Sequence, residues 1–495
     1  MGCFGYRKSE DKAYPRAVNR INGIIDNTIQ KAMTSYSLDW NRVKYYISQL
    51  IKCYRNGDAS SELYDTTEAA VAYLCCYAPR YMRALLDILL QLTYCGLVPP
   101  APRILDIGAG CGTSNLAVAA LFDIVAQRLK IIGNMGSTVF KPQTRLAAEI
   151  VAVDISSPNL SVNRQVAASL DSIPFLSLGI SYHEYDLRVP HDLARLASLG
   201  SFDIIIISNV LNELRSLSDQ KRLLQQVGNQ LDEKGTIIVL EPASEFRSDC
   251  GTFRRACYEV ASEGYLKVVG PCYMDCNAFS SCWTFSRGNM SWSDYIAENI
   301  DIPPALMEYR YSHIILRKDS LMARSCAKNR CRLSEHVGEP HLDIEALVAA
   351  YLPVWGGCYK LCDGFSGSEL IWLRNTTKAT QSLEVGKVYR IRSARAVWES
   401  PQTANKANRQ HFLTLIGDES TIEPVACTNQ TVKPEMRFYY AILGSPLLVC
   451  SSKSNSCRGN WNLWIEGEQR EREFIMGNCF DHLLLRRFET IHAVW

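Results

Sequence analysis

Glycines at 108, 110 and 112 alternate with Ala109 and Cys111 directly after the run Leu105-Asp106-Ile107. Residues without a Cβ let a backbone turn tightly and approach a ligand closely. Farther on, Ile150-Val151-Ala152-Val153 ends in Asp154, and Tyr182-His183-Glu184-Tyr185 ends in Asp186. An acid at a second strand tip can accept both hydroxyls of a ribose, and one at a third strand tip falls where an adenine amine would lie. The pattern D-x-G-x-G-x-G from Asp106 to Gly112 fits S-adenosylmethionine (SAM). The dinucleotide pattern G-x-G-x-x-G would place its third glycine at Thr113, which leaves NAD as the rival ligand. A tight turn in some other α/β protein is the plainer alternative. The candidate cofactor contacts are Asp106, Gly108, Gly110, Gly112, Asp154, Asp186 and Ser208.

The acceptor of a methyl group would lie beyond the fourth strand, where Ser208, Asn209 and Asn212 can hydrogen-bond an amine or a base edge. SAM carries a cationic leaving group, so in-line positioning is the main task and no base is obligatory. No catalytic residue is therefore singled out, and Asn209 and Asn212 stand as substrate-side candidates. The Asn-Pro-Pro-Tyr clamp used on exocyclic base amines is absent. Pro271-Cys272 follows the fifth strand and not the fourth, which excludes it as the nucleophile of cytosine C5 methylation. Asn209 and Glu213 can equally be read as packing or helix-start residues.

Cys272, Cys276 and Cys282 fall within eleven residues in the spacing C-x3-C-x5-C, beside Pro271 and Asp275. Three such thiolates suit either zinc or an iron–sulfur centre, or stay reduced and unliganded. Phe279 stands where the radical-SAM pattern C-x3-C-x2-C would need a cysteine.

These residues need a frame of alternating strands and helices, which implies a parallel, doubly wound sheet. The pattern predicts strands over Arg103–Ile107, Ile150–Asp154, Ser181–Tyr185, Phe202–Ser208, Gly235–Leu240 and Tyr311–Arg317. It predicts helices over Asn115–Leu129, near Asn163–Leu170 and over Asp219–Leu231. Pro99, Pro100 and Pro102 end a helical preface and introduce the first strand. Residues 133–141 read as an inserted loop. Val388–Val397, His411–Ile416 and Phe438–Leu443 read as strands of a small C-terminal β-domain of OB-like type, whose Arg390, Arg392, Arg395 and Trp398 suit nucleic acid or a solvated strand face. The expected division is a helical region at 1–98 and a class I SAM-methyltransferase domain at 99–320 with a cysteine-rich insertion at 250–288. A linker that completes the metal site follows at 321–385, and a β-rich domain at 386–495.

Across 495 residues, 53 Lys and Arg against 51 Asp and Glu neither demand nor exclude a polyanionic partner, because a basic face can hide in a neutral total. No apolar run approaches the ~20 residues of a membrane span, so no membrane partner is expected. Tyr6 stands where an N-myristoylation signal after Met1-Gly2-Cys3 would need Ser or Thr. Nineteen cysteines without a secretory signal indicate a reducing compartment, with Cys75, Cys76 and Cys95 as core fillers.

At Ser208-Asn209-Val210-Leu211-Asn212-Glu213-Leu214 the chain resembles the small-subunit ribosomal methyltransferase-like family of mitochondria and prokaryotes, which has a similar V-L-N-E-L stretch. The likeness continues through Leu240-Glu241-Pro242, Val268-Val269-Gly270-Pro271-Cys272 and Cys282-Trp283-Thr284-Phe285-Ser286-Arg287, and spans about residues 60 to 400. It implies a class I methyltransferase fold tied to the small ribosomal subunit or its RNA, acting as an enzyme or as a non-catalytic assembly factor. A protein or small-molecule methyltransferase is the further alternative. The resemblance also implies a four-iron iron–sulfur cluster on Cys272, Cys276, Cys282 and Cys362, with zinc as the alternative metal. Cys358 rivals Cys362, and Cys326 and Cys331 are weaker rivals. The loop is shorter than the family's C-x5-C-x7-C. The implied location is the cytoplasm of a prokaryote or a mitochondrion, without a clear transit peptide; the oligomeric state stays open.

Overall fold

The computed structural model describes residues 13–56, 65–94, 97–99, 101–134, 146–173, 175–214, 216–243, 251–270 and 286–319. Beyond these it describes residue 383 and the strands from 342 to 475 named below. Among those later strands, side chains are described only for Leu361, Tyr389, Arg390 and Ile391.

Four helices come first: α1 (Ala13–Ser35), α2 (Trp40–Asn56), α3 (Thr67–Cys76) and α4 (Ala78–Tyr94). Along α1, Val18, Ile21, Ile25, Ile29 and Ala32 recur every three to four residues and are buried, which is the apolar stripe of a packed helix. Helix α3 is apolar on every side, with buried residues from Ala69 to Cys76, and the Thr66 hydroxyl caps it by accepting from the Ala69 N–H at 3.1 Å. Cys75 and Cys76 lie in that core as expected; Cys95 lies outside the described residues.

After the prolines come β1 (Arg103–Ile107), α5 (Thr113–Asn134), β2 (Leu146–Asp154), α6 (Ser157–Leu170), β3 (Leu176–Glu184), α7 (Pro190–Arg195) and β4 (Phe202–Ser208). Strands β1 and β2, β1 and β4, and β2 and β3 pair in parallel. The apolar run of β4 is buried throughout Ile204–Ser208, as a strand covered on both faces requires. Helix α6 starts six residues before the predicted Asn163, because the Ser156 hydroxyl accepts from the Asn159 N–H and Pro158 suits a first turn. Helix α5 runs on to Asn134; the remainder of the expected insertion, from residue 135, lies outside the described residues.

These residues and 288–309 belong to one compact unit. In it, residues 288–309 carry β7 (Ser286–Asn289, from Gly288) and α10 (Asp294–Asn299), and they return to the N-terminal helices. Arg83 donates to the Ser291 carbonyl at 2.7 Å, the Ser293 hydroxyl donates to Asp26 at 2.7 Å, and the Tyr309 hydroxyl donates to Asp87 at 2.8 Å. Asp87 also accepts from the Tyr14 hydroxyl at 3.0 Å.

The second compact unit holds α8 (Leu217–Asn229), β5 (Leu231–Pro242), α9 (Gly251–Ser262), β6 (Lys267–Gly270) and β8 (Glu308–Arg317, from Arg310). Strand β8 runs antiparallel to both β5 and β6. Strand β5 begins four residues before the predicted Gly235, since that glycine continues the strand instead of breaking it. The hydrogen-bonded order through the sheet is β3-β2-β1-β4-β5-β8-β6, with β7 on β8. A parallel run on β1 that closes with a reversed strand slipped in before β6 is the strand order of the class I methyltransferase fold.

The same unit ends in a barrel of β9 (Leu342–Leu352), β10 (Cys358–Cys362), β11 (Leu370–Arg374), β12 (Val388–Glu399) and β13 (Phe412–Ile416), with β14 (Ile422–Pro424) on β12. Strands β9, β10 and β11 form an antiparallel meander, β11 pairs in parallel with β13, and β12 pairs antiparallel with both β13 and β9. Numbered from β9, the closed order 1-2-3-5-4-1 is that of an OB barrel. The expected boundary at 386 falls between β11 and β12 of this one sheet, so the segment expected as a linker supplies the first three strands. Tyr389 and Ile391 are buried, and between them Arg390 stands in register with Glu345 on β9 and Glu423 on β14. Acids at both register positions fit the solvated-face reading of this strand better than a polyanion track.

A separate hairpin joins β15 (Arg458–Ile465) to β16 (Glu468–Ile475). The predicted strand at 438–443 lies outside the described residues. Among the described residues no helix is long and apolar enough to cross a membrane.

Candidate functional site

Strand β1 delivers its glycines into a loop folded on the tip of β2. The Gly108 and Ala109 N–H groups both donate to the Val153 carbonyl, at 2.8 and 3.0 Å, and the Gly110 N–H donates to Asp154 Oδ2 at 2.8 Å. Gly108, Gly110 and Gly112 have φ of 71°, 49° and 91°, a region that penalises any Cβ. The glycines differ in what lies around them. A Cβ on Gly110 would meet nothing nearer than the Gly108 carbonyl at 3.9 Å, whereas one on Gly112 would strike Asn163 Oδ1 at 2.9 Å. The loop is thus open at Gly110 and closed at Gly112.

Asn163 is the part of this site that the sequence reading missed. It is fully buried on α6, donates to the Gly110 carbonyl at 3.1 Å and accepts from Asn115 Nδ2 at 2.7 Å, which holds the loop from behind. From the helical side, the Cys111 thiol donates to the Ala70 carbonyl of α3 at 3.0 Å. A single asparagine in a helix carries no spacing signal, so only the fold reveals this role.

Each candidate acid has its own environment. Asp106, 1% exposed, accepts from the Ser114 hydroxyl through Oδ1 at 2.8 Å, and its Oδ2 has no partner. Burial pushes its carboxyl up to about 7. Asp154 accepts from Gly110 N–H on one oxygen and from Ser156 N–H on the other, both at 2.8 Å. Burial raises its carboxyl and these backbone donors oppose the rise. The loop and Asp154 are therefore brought together, and Ser208, at the end of β4, is nearly buried.

Asp186 is placed differently. It lies two residues past β3 and grips Arg188, whose Nε and Nη2 donate to Oδ1 and Oδ2 at 2.9 Å each. Arg188 holds that carboxyl below its usual range. A contact to adenine would have to compete with this two-point pair.

In the second unit the residues after β4 form their own knot. Asn209 has φ of 58°, the left-handed region that asparagine tolerates, and its N–H donates to the Leu240 carbonyl at 2.8 Å. Val210 and Leu211 both donate N–H to Glu241 Oε1, at 3.0 and 2.7 Å, and Leu211–Glu213 then close a short 3-10 turn. Asn212 is exposed. Glu241 is fully buried at the end of β5; its Oε2 has no partner, and burial pushes its carboxyl up to about 8. Its signal in the sequence is an acid closing the otherwise apolar run Ile237-Ile238-Val239-Leu240.

Arg254 on α9 is likewise fully buried and donates to the Ser312 hydroxyl at 2.7 Å. Burial, with the Arg254 charge, pushes neighbouring His313 down to about 3.

Cys272, Cys276 and Cys282 lie outside the described residues, and Cys358 and Cys362 are the two ends of β10, with side chains that are not described. Among the described residues no group of three His, Cys, Asp or Glu could hold a metal ion. Cys75, Cys76, Cys111 and Cys257 are buried free thiols.

No family model and no curated protein matches this chain. Among solved structures, magnesium protoporphyrin IX methyltransferase from Synechocystis with bound SAM is 11% identical, covers 57% of this chain and 98% of its own, and gives a TM-score of 0.29. Precorrin 8w decarboxylase from Methanobacterium thermoautotrophicum is 12% identical over 47% of this chain and 89% of its own, with a TM-score of 0.27. Precorrin-6y C5,15-methyltransferase from Geobacter metallireducens is 11% identical over 47% and 88%, with a TM-score of 0.26. Likenesses at these levels carry no weight beside the strand order, on which the fold assignment rests.

Proposed function

We propose that the chain is a SAM-dependent methyltransferase that acts on RNA of the small ribosomal subunit. The observation that carries the SAM reading is the glycine loop: hydrogen-bonded to Asp154 at Gly110, backed by Asn163, and open where a Cβ on Gly110 would point. The residues fit the cofactor. Asp154 is an acceptor-only carboxylate held at the loop by the Gly110 and Ser156 N–H groups, and a carboxylate of this kind can accept from a ribose hydroxyl. When bound, SAM supplies an activated methyl group on a sulfonium. Gly108 and Gly110 admit the cofactor's approach, Asp154 orients the sugar, and Ser208, Asn209 and Asn212 are the groups proposed to orient the acceptor.

The RNA assignment draws on the V-L-N-E-L stretch from Val210 to Leu214 and its resemblance. A second reading, a ribosome assembly factor that binds SAM without transferring methyl, draws on the knot after β4, where Glu241 ties up the backbone and no aromatic clamp follows Asn209. The cluster on Cys272, Cys276, Cys282 and Cys362 is proposed on the resemblance alone, and no step of the reaction passes through it. Iron and sulfide analysis after anaerobic purification checks it, and stoichiometric zinc without sulfide would overturn it.

Calorimetric titration with SAM tests the binding, and labelled SAM offered to immature and mature small-subunit particles tests the reaction. Label in the RNA is expected. SAM binding without label in either particle would favour the assembly factor, and label in protein or small molecules would move the substrate class.

A further inference from the structure

The N-terminal helices carry a surface that the methyl-transfer chemistry does not use. From Trp40 to Asn56, α2 contains Arg42, Lys44, Lys52 and Arg55 and neither Asp nor Glu, in a chain whose total charge is only +2. Its apolar side is spent: Val43, Ile47 and Leu50 are buried, and the helix packs on α3. The opposite side is open. Lys44, Ser48 and Lys52 are exposed at successive i, i+4 positions, with the Tyr45 ring 58% exposed beside them.

Helix stability does not account for this pattern. Arg42 and Lys44 sit near the positive end of the helix, where cations are disfavoured, and Asp39 already caps it by accepting from the Asn41 and Arg42 N–H groups at 2.8 and 3.1 Å. Arg42 pairs with Glu68 at 2.8 Å, but Lys44 and Lys52 have no acidic partner among the described residues. An exposed tyrosine between two lysines without an acidic partner among the described residues, about 12 Å apart along the helix axis, suits an extended polyanion with flat bases. A lipid surface suits it poorly, because the apolar stripe that an interfacial helix would insert is buried in the protein.

We propose that this face of α2 binds single-stranded RNA, with Lys44 and Lys52 on phosphates and the Tyr45 ring against a base. The proposal deepens the RNA-directed reading above and rests on it. Its test is fluorescence anisotropy of the full-length protein with a fluorescein-labelled single-stranded RNA of about 20 nucleotides, enough to cross several phosphates, over a series of KCl concentrations. Lys44→Glu with Lys52→Glu is expected to weaken binding at least tenfold. It is also expected to flatten the slope of log K against log salt by about 1.4, the contribution of two single-strand phosphates. Lys44→Gln with Lys52→Gln should give the same change in slope with a smaller loss of affinity. Tyr45→Ala should cost about tenfold in affinity and leave the slope unchanged.

Wild-type affinity and slope in all three variants would overturn the proposal, as would failure of the intact protein to bind the RNA. Binding only to vesicles containing phosphatidylserine would overturn it in favour of a membrane. Calorimetric SAM titration and thermal melting of each variant, both expected to match the parent, show that the fold is intact. Loss of SAM binding by the parent itself would sink the methyltransferase reading separately, while the salt slopes would still judge α2.

Discussion

Asp154 and Glu241 stand at two strand tips and do the same job with different results. Each is a buried carboxyl that fixes a following loop through backbone N–H groups. Asp154 spreads its two donors over two oxygens and faces a loop with open space at Gly110. Glu241 gathers both donors on Oε1, leaves Oε2 without a partner and is sealed from solvent. An acid that keeps 9% of its surface exposed beside an open loop can still receive a ligand. One sealed in the core can only shape the chain, and the cost of its charge shows as a carboxyl pushed up to about 8.

Gly110→Asp breaks the comparison most completely, since it puts a Cβ and a charge into the open side of the loop at a φ of 49°. SAM binding, read by calorimetry, is expected to fall by more than about 100-fold, and undisturbed binding would refute the site. Asp154→Asn should weaken SAM about 10- to 100-fold, the loss of a charged acceptor, while Glu241→Gln leaves SAM affinity within about twofold. Equal losses in the two variants would dissolve the distinction between ligand-holding and loop-shaping acids.

Glu241 instead controls stability against pH. Its folded pKa of about 8 exceeds the ordinary 4.5, so the folded state holds the extra proton between those values. Stability then falls as pH rises through that window, by at most about 1.4 kcal/mol per pH unit for one group. Asp106, raised to about 7, adds to the fall between its own ordinary value and that point. Denaturant titrations from pH 5 to 8 should show the decline in the parent and a flatter profile in Glu241→Gln. The smallest effect is expected at Asn209, whose φ of 58° costs an alanine about 1 kcal/mol more than an asparagine or glycine. Asn209→Ala should therefore lower stability slightly and Asn209→Gly should not.

What the sequence made legible was local. The prolines before β1, the alternate glycines and the acid closing β2 act over a few residues, and β1 runs over Arg103–Ile107 as predicted. Segments whose structure depends on distant partners were hidden. Leu342–Leu352 reads Leu-Asp-Ile-Glu-Ala-Leu-Val-Ala-Ala-Tyr-Leu, rich in helix formers, yet it is β9, because pairing with β10 and β12 outweighs intrinsic preference. Asp186, expected to end the third strand, lies two residues beyond it, and Arg188 pairs with both its oxygens. Glu241 and Asn163 act through space, on residues 30 and 53 positions away, and no periodicity reports that.

The bonds from Arg83 to Ser291, Asp87 to Tyr309 and Asp26 to Ser293 join residues 208, 222 and 267 positions apart. During synthesis the amino-terminal helices leave the ribosome long before those partners exist. At ~5–20 residues per second the wait is roughly 10 to 50 s. For that interval α1 and α4, which flank in sequence the helix of Lys44, Tyr45 and Lys52, have no hold on residues 288–309. Their assembly is completed by a segment translated only after the glycine loop, Asp154 and all of β5 have been made.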